Sequence, residues 1–192
     1  MRLFIAVAAG AGVADYAAGV RRALERHDAD LARRGLKWVE PANLHLTLRF
    51  IGEVAAPLAD EVVAAVDRAV PQAPFPLEFG APCWLPGPRR PRVLMLPLVH
   101  DVPALAALKR TIDERLPAGV PAEEPRPFRP HLTLARVRDG WQDRAASAGP
   151  AIAALVPPSG AGRVECAVLF ESRLGREGPA YSARARAGLD AW

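Results

Sequence analysis

The chain has 192 residues, of which 51% are hydrophobic and 24% are charged, and its formal net charge is +4 at pH 7. These fractions are those of an ordinary globular domain and exclude a mainly disordered chain. No apolar run reaches the ~20 residues that a membrane-spanning helix needs, so we do not expect a transmembrane protein. We predict a single domain over residues 1–192.

Nearly all of the positive charge is carried by arginine, because Lys37 and Lys109 are the only lysines. Guanidinium groups bind phosphate through paired hydrogen bonds, so the small excess suggests a polyanionic partner and not a histone-like binder. Cys83 and Cys166 lack the spacing of a zinc site or of a disulfide framework. We therefore expect a reducing compartment and a cytoplasmic protein.

In the first part of the chain, the sequence pattern predicts two strands with a long helix between them. Residues 3–7 are rich in side chains that favour a buried strand. Apolar residues then recur at helical spacing, which predicts a helix over residues 13–35. A short extended segment over residues 37–40 is followed by a second strand over residues 45–51.

The rest of the chain predicts three further helices and several strands. Prolines and apolar spacing indicate helices over residues 58–70, 102–116 and, with a weaker pattern, 141–155. Extended segments are expected over residues 77–98, apart from a proline-rich loop at 86–91, and over residues 131–137, 163–171 and 181–187. Because several strands follow each other without an intervening helix, we predict an α+β fold with mostly antiparallel sheets.

One tetrapeptide occurs twice in the chain. His-Leu-Thr-Leu stands at residues 45–48 and again at residues 131–134, which is 86 residues later. Alternate side chains of a strand share a face, so each histidine points the same way as the threonine two positions on. A single copy is common on a partly polar strand face, but two of only four histidines stand in identical settings. The repeat predicts two lobes that each contribute one motif.

Two histidine-threonine pairs that face each other across a cleft have the chemistry for phosphoryl transfer. One of His45 and His131 would act as an acid and the other as a base. The hydroxyls of Thr47 and Thr133 would bind the non-bridging phosphate oxygens. A metal site is the alternative, but zinc needs three or four ligands, and no cysteine or acidic residue stands at a matching spacing. We therefore expect acid and base catalysis with no metal and no cofactor.

Four segments of the chain resemble a known family. They are residues 2–6, 43–53, 127–136 and 170–174, which follow in this order along nearly the whole chain. These segments are similar to the bacterial RNA 2′,3′-cyclic phosphodiesterases of the two-histidine phosphoesterase superfamily, once described as 2′-5′ RNA ligases. The resemblance implies two pseudo-symmetric α+β lobes of mostly antiparallel sheet around a central cleft. It also implies that a 2′,3′-cyclic phosphate is opened to a 2′-phosphate without a metal.

The resemblance further implies a role for each site residue. His45 is the proton donor to the departing 3′ oxygen, and His131 is the base that activates water. Thr47 and Thr133 bind the phosphate. Arg136 matches a family arginine that lies close to the phosphate. Simple alternation places Arg136 on the face opposite His131, so we expect a strand end or a β-bulge that returns it to the site.

The substrate and two neighbouring features stay open at this point. Phe50 either flanks the nucleoside or belongs to the core, and the arginines of the 86–92 loop either follow an RNA backbone or are solvated. We expect a monomer that acts on RNA or oligonucleotide ends, such as tRNA fragments, with reverse 2′-5′ ligation at the same site. The alternatives are a phosphodiesterase for a small cyclic nucleotide, such as ADP-ribose cyclic phosphate, and a non-catalytic RNA-end binding module. Two intact histidines argue against the binding module, because binding alone needs no acid and base.

Overall fold

The protein combines helices with antiparallel sheet, as the sequence predicts. The computed structural model describes residues 1–8, 10–100, 102–123, 127–156, 162–175 and 179–190. The strands are β1 (Arg2–Ala8), β2 (Leu36–Trp38), β3 (His45–Glu53), β4 (Phe75–Leu77), β5 (Cys83–Leu85), β6 (Val93–Pro97), β7 (His131–Val137), β8 (Gly162–Val164), β9 (Cys166–Leu174) and β10 (Pro179–Gly188). The helices are α1 (Ala11–His27), α2 (Ala56–Val66), α3 (Pro103–Arg115), α4 (Gln142–Ser147) and α5 (Gly149–Ala153). Within these ranges no helix has the length and apolarity that crossing a membrane requires.

Eight strands form one sheet in which the two motif-bearing strands are central neighbours. The order is β10-β9-β1-β3-β7-β6-β5, and β2 also pairs with β7. Strands β4 and β8 form a separate pair, and the pairings between all of these strands are antiparallel. Strands β3 and β7 meet at the Cα pair Leu46 and Leu132. The two copies of the tetrapeptide therefore lie side by side. The antiparallel pairings, together with the helices, confirm the predicted α+β class of fold.

The leucines of both motifs belong to the hydrophobic core. Leu46, Leu48, Leu132 and Leu134 are at most 1% exposed. Full burial of a leucine side chain contributes about 1.5–3 kcal/mol. The helices add buried side chains to the same core, namely Val13, Val20 and Leu24 of α1, Ala59, Val62 and Val66 of α2, and Leu105, Leu108 and Ile112 of α3. Each motif is thus anchored in the core through its leucines, while its polar residues point to the other face.

A buried arginine fastens β3 to the chain segment that leads towards β7. The Arg49 side chain is 10% exposed, and its Nη2 donates to Pro121 O at 2.7 Å. Its Nη1 lies 3.3 Å from a carboxylate oxygen of Glu123, and its Nε lies 3.8 Å from Asp113. Lys109 donates to both carboxylates at 2.7 Å. Two cations and two carboxylates therefore form one network behind the motif of β3.

The first helix is shorter than the sequence predicts. It ends at His27, because Asp28 is extended and its Oδ1 accepts a hydrogen bond from Leu31 N–H at 3.0 Å. A single π-helical turn, Leu31–Gly35, then leads into β2. Gly35 is required there, since a Cβ atom would lie 2.5 Å from Trp141 Cε3. The apolar spacing continues through Leu31 because the turn is buried, although the helix is broken.

Two further helices also differ from the prediction. Helix α2 ends at Val66 and not just before residue 71, because Val70 N–H donates to Gly188 O in an isolated bridge at the end of β10. The helical segment predicted over residues 141–155 is divided at Ala148 into α4 and α5. Pro150 follows this break and has no N–H to continue a hydrogen-bond ladder. The apolar spacing alone thus predicts helices that are too long, because pairing with β10 ends α2 and a proline follows the break between α4 and α5.

Candidate active site

The polar side chains of the two motifs lie together on one face of the sheet. Antiparallel pairing at the first leucine of each motif sets each histidine beside the threonine of the other motif. His45, Thr47, His131 and Thr133 are each half-buried, whereas the motif leucines are buried. The structure thus brings together the four residues that the sequence singled out.

A β-bulge follows the threonine of each motif. In the pairing of β3 with β1, Leu48 is the extra residue that has no partner on β1. In the pairing of β7 with β6, Leu134 is the corresponding extra residue. One extra residue reverses the alternation of faces beyond it. Arg136 therefore lies on the same face as His131 and Thr133. This is the arrangement that the resemblance requires and that simple alternation forbids.

Each histidine ring is held by the carbonyl group two residues before it. His45 Nδ1 lies 2.7 Å from Asn43 O, and His131 Nδ1 lies 2.8 Å from Arg129 O. A carbonyl oxygen only accepts hydrogen bonds, so the proton of each neutral ring is assigned to Nδ1, which donates. Both Nε2 atoms are then left to exchange protons with a ligand.

Aromatic rings pack against one histidine and not against the other. The centroid of the His45 ring lies 4.9 Å from that of Phe4 and 5.5 Å from that of Tyr181. In the part of the chain that the structure describes, no aromatic ring packs against His131. Phe4 falls in a segment that carries the resemblance, but no sequence pattern connects Tyr181 with the site. The sequence therefore predicts the histidines and not their unequal surroundings.

The pKa of His45 is lowered from its ordinary value. Burial is the main cause, the hydrogen bond to Asn43 opposes it, and electrostatic interactions with Arg136 and His131 lower the pKa further. The unliganded protein thus favours a neutral His45 imidazole. The strand pairing and the bulge place Arg136, His131 and His45 on one face of the sheet.

Phe50 forms an exposed aromatic surface on the same face. The bulge at Leu48 turns Phe50 towards this face, in register with Phe4. Its side chain is 59% exposed, and its ring centroid lies 6.2 Å from that of Phe4. This exposure rules out the core position and leaves a ring on which a base can stack.

Basic side chains line the part of this face that adjoins β2. Lys37 of β2 is in register with Arg136, and Arg138 follows two residues later, where its N–H donates to Gly35 O. We call Lys37, Arg136 and Arg138 the basic strip. All three are exposed, and none forms an ion pair with a carboxylate within the described ranges. Their charges are therefore available to an anionic ligand.

The proline-rich loop adjoins the basic strip. Its arginines, Arg89, Arg90 and Arg92, are exposed. Val137 N–H donates to Arg92 O at 2.9 Å, which joins the loop to the end of β7. This hydrogen bond places the loop beside the basic strip.

The described ranges contain no group of three or more His, Cys, Asp or Glu side chains arranged to hold a metal ion. Both cysteines are free thiols, and each is partly exposed. Metal-free catalysis stays a prediction that experiment has to test.

The fold and the duplicated motif define a two-histidine phosphoesterase. A family model described as LigT-like phosphoesterase matches the chain twice, over residues 12–95 and 96–181. Each match contains one histidine motif together with its bulge. The chain belongs to the LigT-like phosphoesterase family.

Individual relatives agree with this membership. The RNA 2′,3′-cyclic phosphodiesterase of Aeropyrum pernix is 32% identical over 151 residues, which cover 76% of this chain and 82% of that protein. The crystal structure of TT0787 from Thermus thermophilus matches with a TM-score of 0.74 and 26% identity, covering 100% of this chain and 99% of the other. Escherichia coli LigT complexed with phosphate matches with a TM-score of 0.63 and 25% identity, covering 98% and 96%. Most of the sequence relatives are archaeal, so a resemblance to the bacterial members in particular is not confirmed.

Proposed function

We propose that the chain opens the 2′,3′-cyclic phosphate at an RNA or oligonucleotide end to give a 2′-phosphomonoester. The observation that carries this proposal is the pair of histidines on one sheet face, each with Nδ1 on a carbonyl oxygen and each beside a threonine. Such a pair offers one phosphate two imidazole Nε2 atoms and two hydroxyl donors. Relatives named RNA 2′,3′-cyclic phosphodiesterase support the same reaction.

In the proposed reaction, His131 takes a proton from water while the water oxygen forms a bond to phosphorus. The bond from phosphorus to the 3′ oxygen breaks, and His45 gives its Nε2 proton to that oxygen. The products are a 3′-hydroxyl and a 2′-phosphate. Thr47 and Thr133 donate hydrogen bonds to the non-bridging oxygens, and the Arg136 guanidinium offsets the charge that develops on them.

The lowered pKa of His45 sets a condition on its role as proton donor. Burial and the charge of Arg136 favour the neutral ring when the site is empty, whereas a proton donor must enter the reaction protonated. A bound phosphodiester is an anion, and an anion beside an imidazolium raises its pKa. We propose that substrate binding itself brings about the protonation of His45.

An RNA chain fits the surroundings of the site better than a small cyclic nucleotide does. Phe50 offers a stacking surface for the terminal base, and Lys37 and Arg138 of the basic strip offer cations to further phosphates. A cyclic mononucleotide such as 2′,3′-cyclic AMP can use the first feature but has no phosphates for the second, and ADP-ribose cyclic phosphate has only the two phosphates of its diphosphate. Fragments of tRNA are one such class of RNA chain. Reverse ligation of 2′-5′ ends would use the same residues.

We also propose that residues 1–192 form one domain of two lobes that acts as a cytoplasmic monomer. The two family matches, with one motif in each, support the two lobes. The free thiols at Cys83 and Cys166 support a reducing compartment. Light scattering after size-exclusion chromatography tests the monomer.

The reaction is tested by a product assay with and without EDTA. The substrates are an oligonucleotide with a 2′,3′-cyclic phosphate end and 2′,3′-cyclic AMP. We expect a 2′-phosphate in phosphorus NMR, resistance of the product to a 3′-specific phosphatase, no loss of activity in EDTA and a higher kcat/KM for the oligonucleotide. No metal is needed to lower the pKa of the attacking water in this mechanism.

Each component of the proposal has its own contrary result. A mainly 3′-phosphate product would reverse the roles of His45 and His131. Better turnover of cyclic AMP would favour a small substrate, and a requirement for added divalent metal would favour a metallohydrolase. Tight binding of the oligonucleotide without turnover would indicate the binding module.

A further inference from the structure

His45 is held from the C-terminal strand as well as from its own strand. Asn43 joins the two, because its Nδ2 donates to Pro179 O at 3.1 Å while its carbonyl accepts from His45 Nδ1 at 2.7 Å. Pro179 is the first residue of β10, 136 residues after Asn43. The orientation of the His45 ring therefore depends on the docking of β10.

Tyr181, two residues further along β10, packs against the same imidazole. The two rings meet edge to face, with centroids 5.5 Å apart and an angle of 81° between their planes. The Tyr181 ring also lies 4.9 Å from Phe4, and Phe4 lies 4.9 Å from His45. The three rings are in mutual contact, so aromatic carbon replaces water beside the imidazole.

Tyr181 contacts His45 through its ring and brings no charge to it. The charged or titratable groups that face His45 are Arg136 and His131 from β7 and the Tyr181 phenol from β10. Burial raises the pKa of Tyr181, so the phenol is neutral at physiological pH. A neutral aromatic ring in this position can affect the imidazole only by packing, because it excludes water and limits rotation of the His45 ring.

We propose that Tyr181 is a positioning residue for His45, whose ring holds the imidazole in one orientation and away from water. The two chemically identical motifs are thereby unequal before any substrate binds. Charges interact more strongly where water is excluded, so an arriving phosphate affects His45 more than it would affect a solvated histidine. That last step rests on the proposed function, whereas the effect of the ring on His45 does not.

Three variants separate the ring from the hydroxyl and from general packing. Tyr181→Phe keeps the ring, Tyr181→Leu removes it, and Phe170→Leu removes a ring that stacks on Phe4 at 5.3 Å without packing against His45. The primary measurement is the titration of the His45 Cε1–H signal by NMR without ligand, and circular dichroism confirms the fold. Because this titration needs no turnover, its outcome is independent of the reaction that the enzyme catalyses.

We expect Tyr181→Leu to raise the pKa of His45 towards its ordinary value, while Tyr181→Phe and Phe170→Leu leave it near that of the unmodified protein. Turnover of the cyclic-phosphate oligonucleotide should fall about tenfold in Tyr181→Leu and recover in Tyr181→Phe, as expected for a displaced catalytic group. Tyr181→Met replaces Tyr181→Leu should the latter not fold.

Three results would overturn the proposal. One is an unchanged His45 titration in a folded Tyr181→Leu or Tyr181→Met protein. Another is an equal effect of Tyr181→Phe, which would assign the role to the hydroxyl. The third is an equal shift in Phe170→Leu, which would reduce the effect to general loss of aromatic packing.

Discussion

Phe50 and Arg136 occupy equivalent positions, each five residues after the histidine of its motif and each beyond a bulge at the motif's last leucine. The bulge in β3 brings the Phe50 ring to one part of the site, and the bulge in β7 brings the Arg136 guanidinium to another. Both side chains are exposed on the histidine face. The two motifs therefore share a backbone plan, while their fifth residues differ in chemistry. We expect Phe50 to contact the base and Arg136 to contact the phosphate.

Removal of either histidine should nearly abolish turnover. His45→Ala and His131→Ala should each lower the rate of the hydrolysis step by about 10² to 10⁴, because general acid and base groups contribute that much. Thr47→Ala and Thr133→Ala should cost less, since each removes one hydrogen-bond donor. The measurement is single-turnover hydrolysis of a cyclic-phosphate dinucleotide, with circular dichroism as the control for folding. Near-normal turnover in a folded histidine variant would contradict the mechanism.

Binding of a phosphate should raise the pKa of His45. Without ligand the pKa lies below the ordinary value of 6.5, and the negative charge of a 2′-phosphate stabilises the imidazolium. NMR titration of His45 with and without 2′-AMP measures the shift. A downward shift, or none at saturating 2′-AMP, would contradict protonation on binding.

The same lowered pKa has a consequence for stability. The unfolded chain binds the proton of this histidine more readily than the folded protein does, so folding is most favoured above about pH 6.5. As the pH falls from 6.5 towards the folded-state pKa, this contribution decreases. His45→Gln should flatten the pH dependence of the free energy of unfolding in that window, as measured by urea titration at several pH values.

The basic strip should make RNA binding sensitive to salt. We expect Lys37→Ala and Arg138→Ala each to reduce the log-log salt slope by about 0.7 for an oligonucleotide with a 2′-phosphate end, because one cation-phosphate contact is lost. The slope for 2′-AMP should stay the same. Arg110→Ala is the matched control, since Arg110 is an exposed residue of α3, the helix that packs behind β3 through Asp113 and Arg49. Equal slopes in all three variants would confine recognition to the terminal nucleotide.

Arg49 should stabilise the fold without taking part in catalysis. Arg49→Met should lower the free energy of unfolding by about 1–3 kcal/mol, since it removes one charge-assisted hydrogen bond, to Pro121 O, and two ion pairs. The cost stays below that of a stranded buried ion, because Asp113 and Glu123 are 33% and 40% exposed and keep Lys109 as a partner. Urea unfolding measures this loss.

The control for Arg49 is Arg163→Met. Arg163 is 60% exposed and lies 3.8 Å from a Glu165 oxygen. Removal of an exposed ion pair should change stability by less than about 0.5 kcal/mol. Equal stabilities of the two variants would show that the network behind β3 contributes little.

The sequence by itself determined the class of fold and which histidines and threonines share one face of the sheet. Both depend on local patterns, because alternation in a strand places a histidine and a threonine on one face and two leucines on the other. The repeat of that pattern in a histidine-poor chain was enough to predict a pair of imidazoles. Two predicted helices end early because a backbone N–H has another partner. Leu31 N–H donates to the Asp28 side chain, and Val70 N–H donates to Gly188 O at the end of β10.

Only the tertiary structure decided which other residues join the site. A bulge is a property of two paired strands, so the faces of Arg136 and Phe50 depend on register with β6 and β1 and not on their own sequence. Burial is likewise set by whatever packs from elsewhere in the chain. Tyr181 reaches His45 through the pairing of β10 with β9 and of β9 with β1. That long-range packing is why two identical tetrapeptides hold histidines with unequal surroundings.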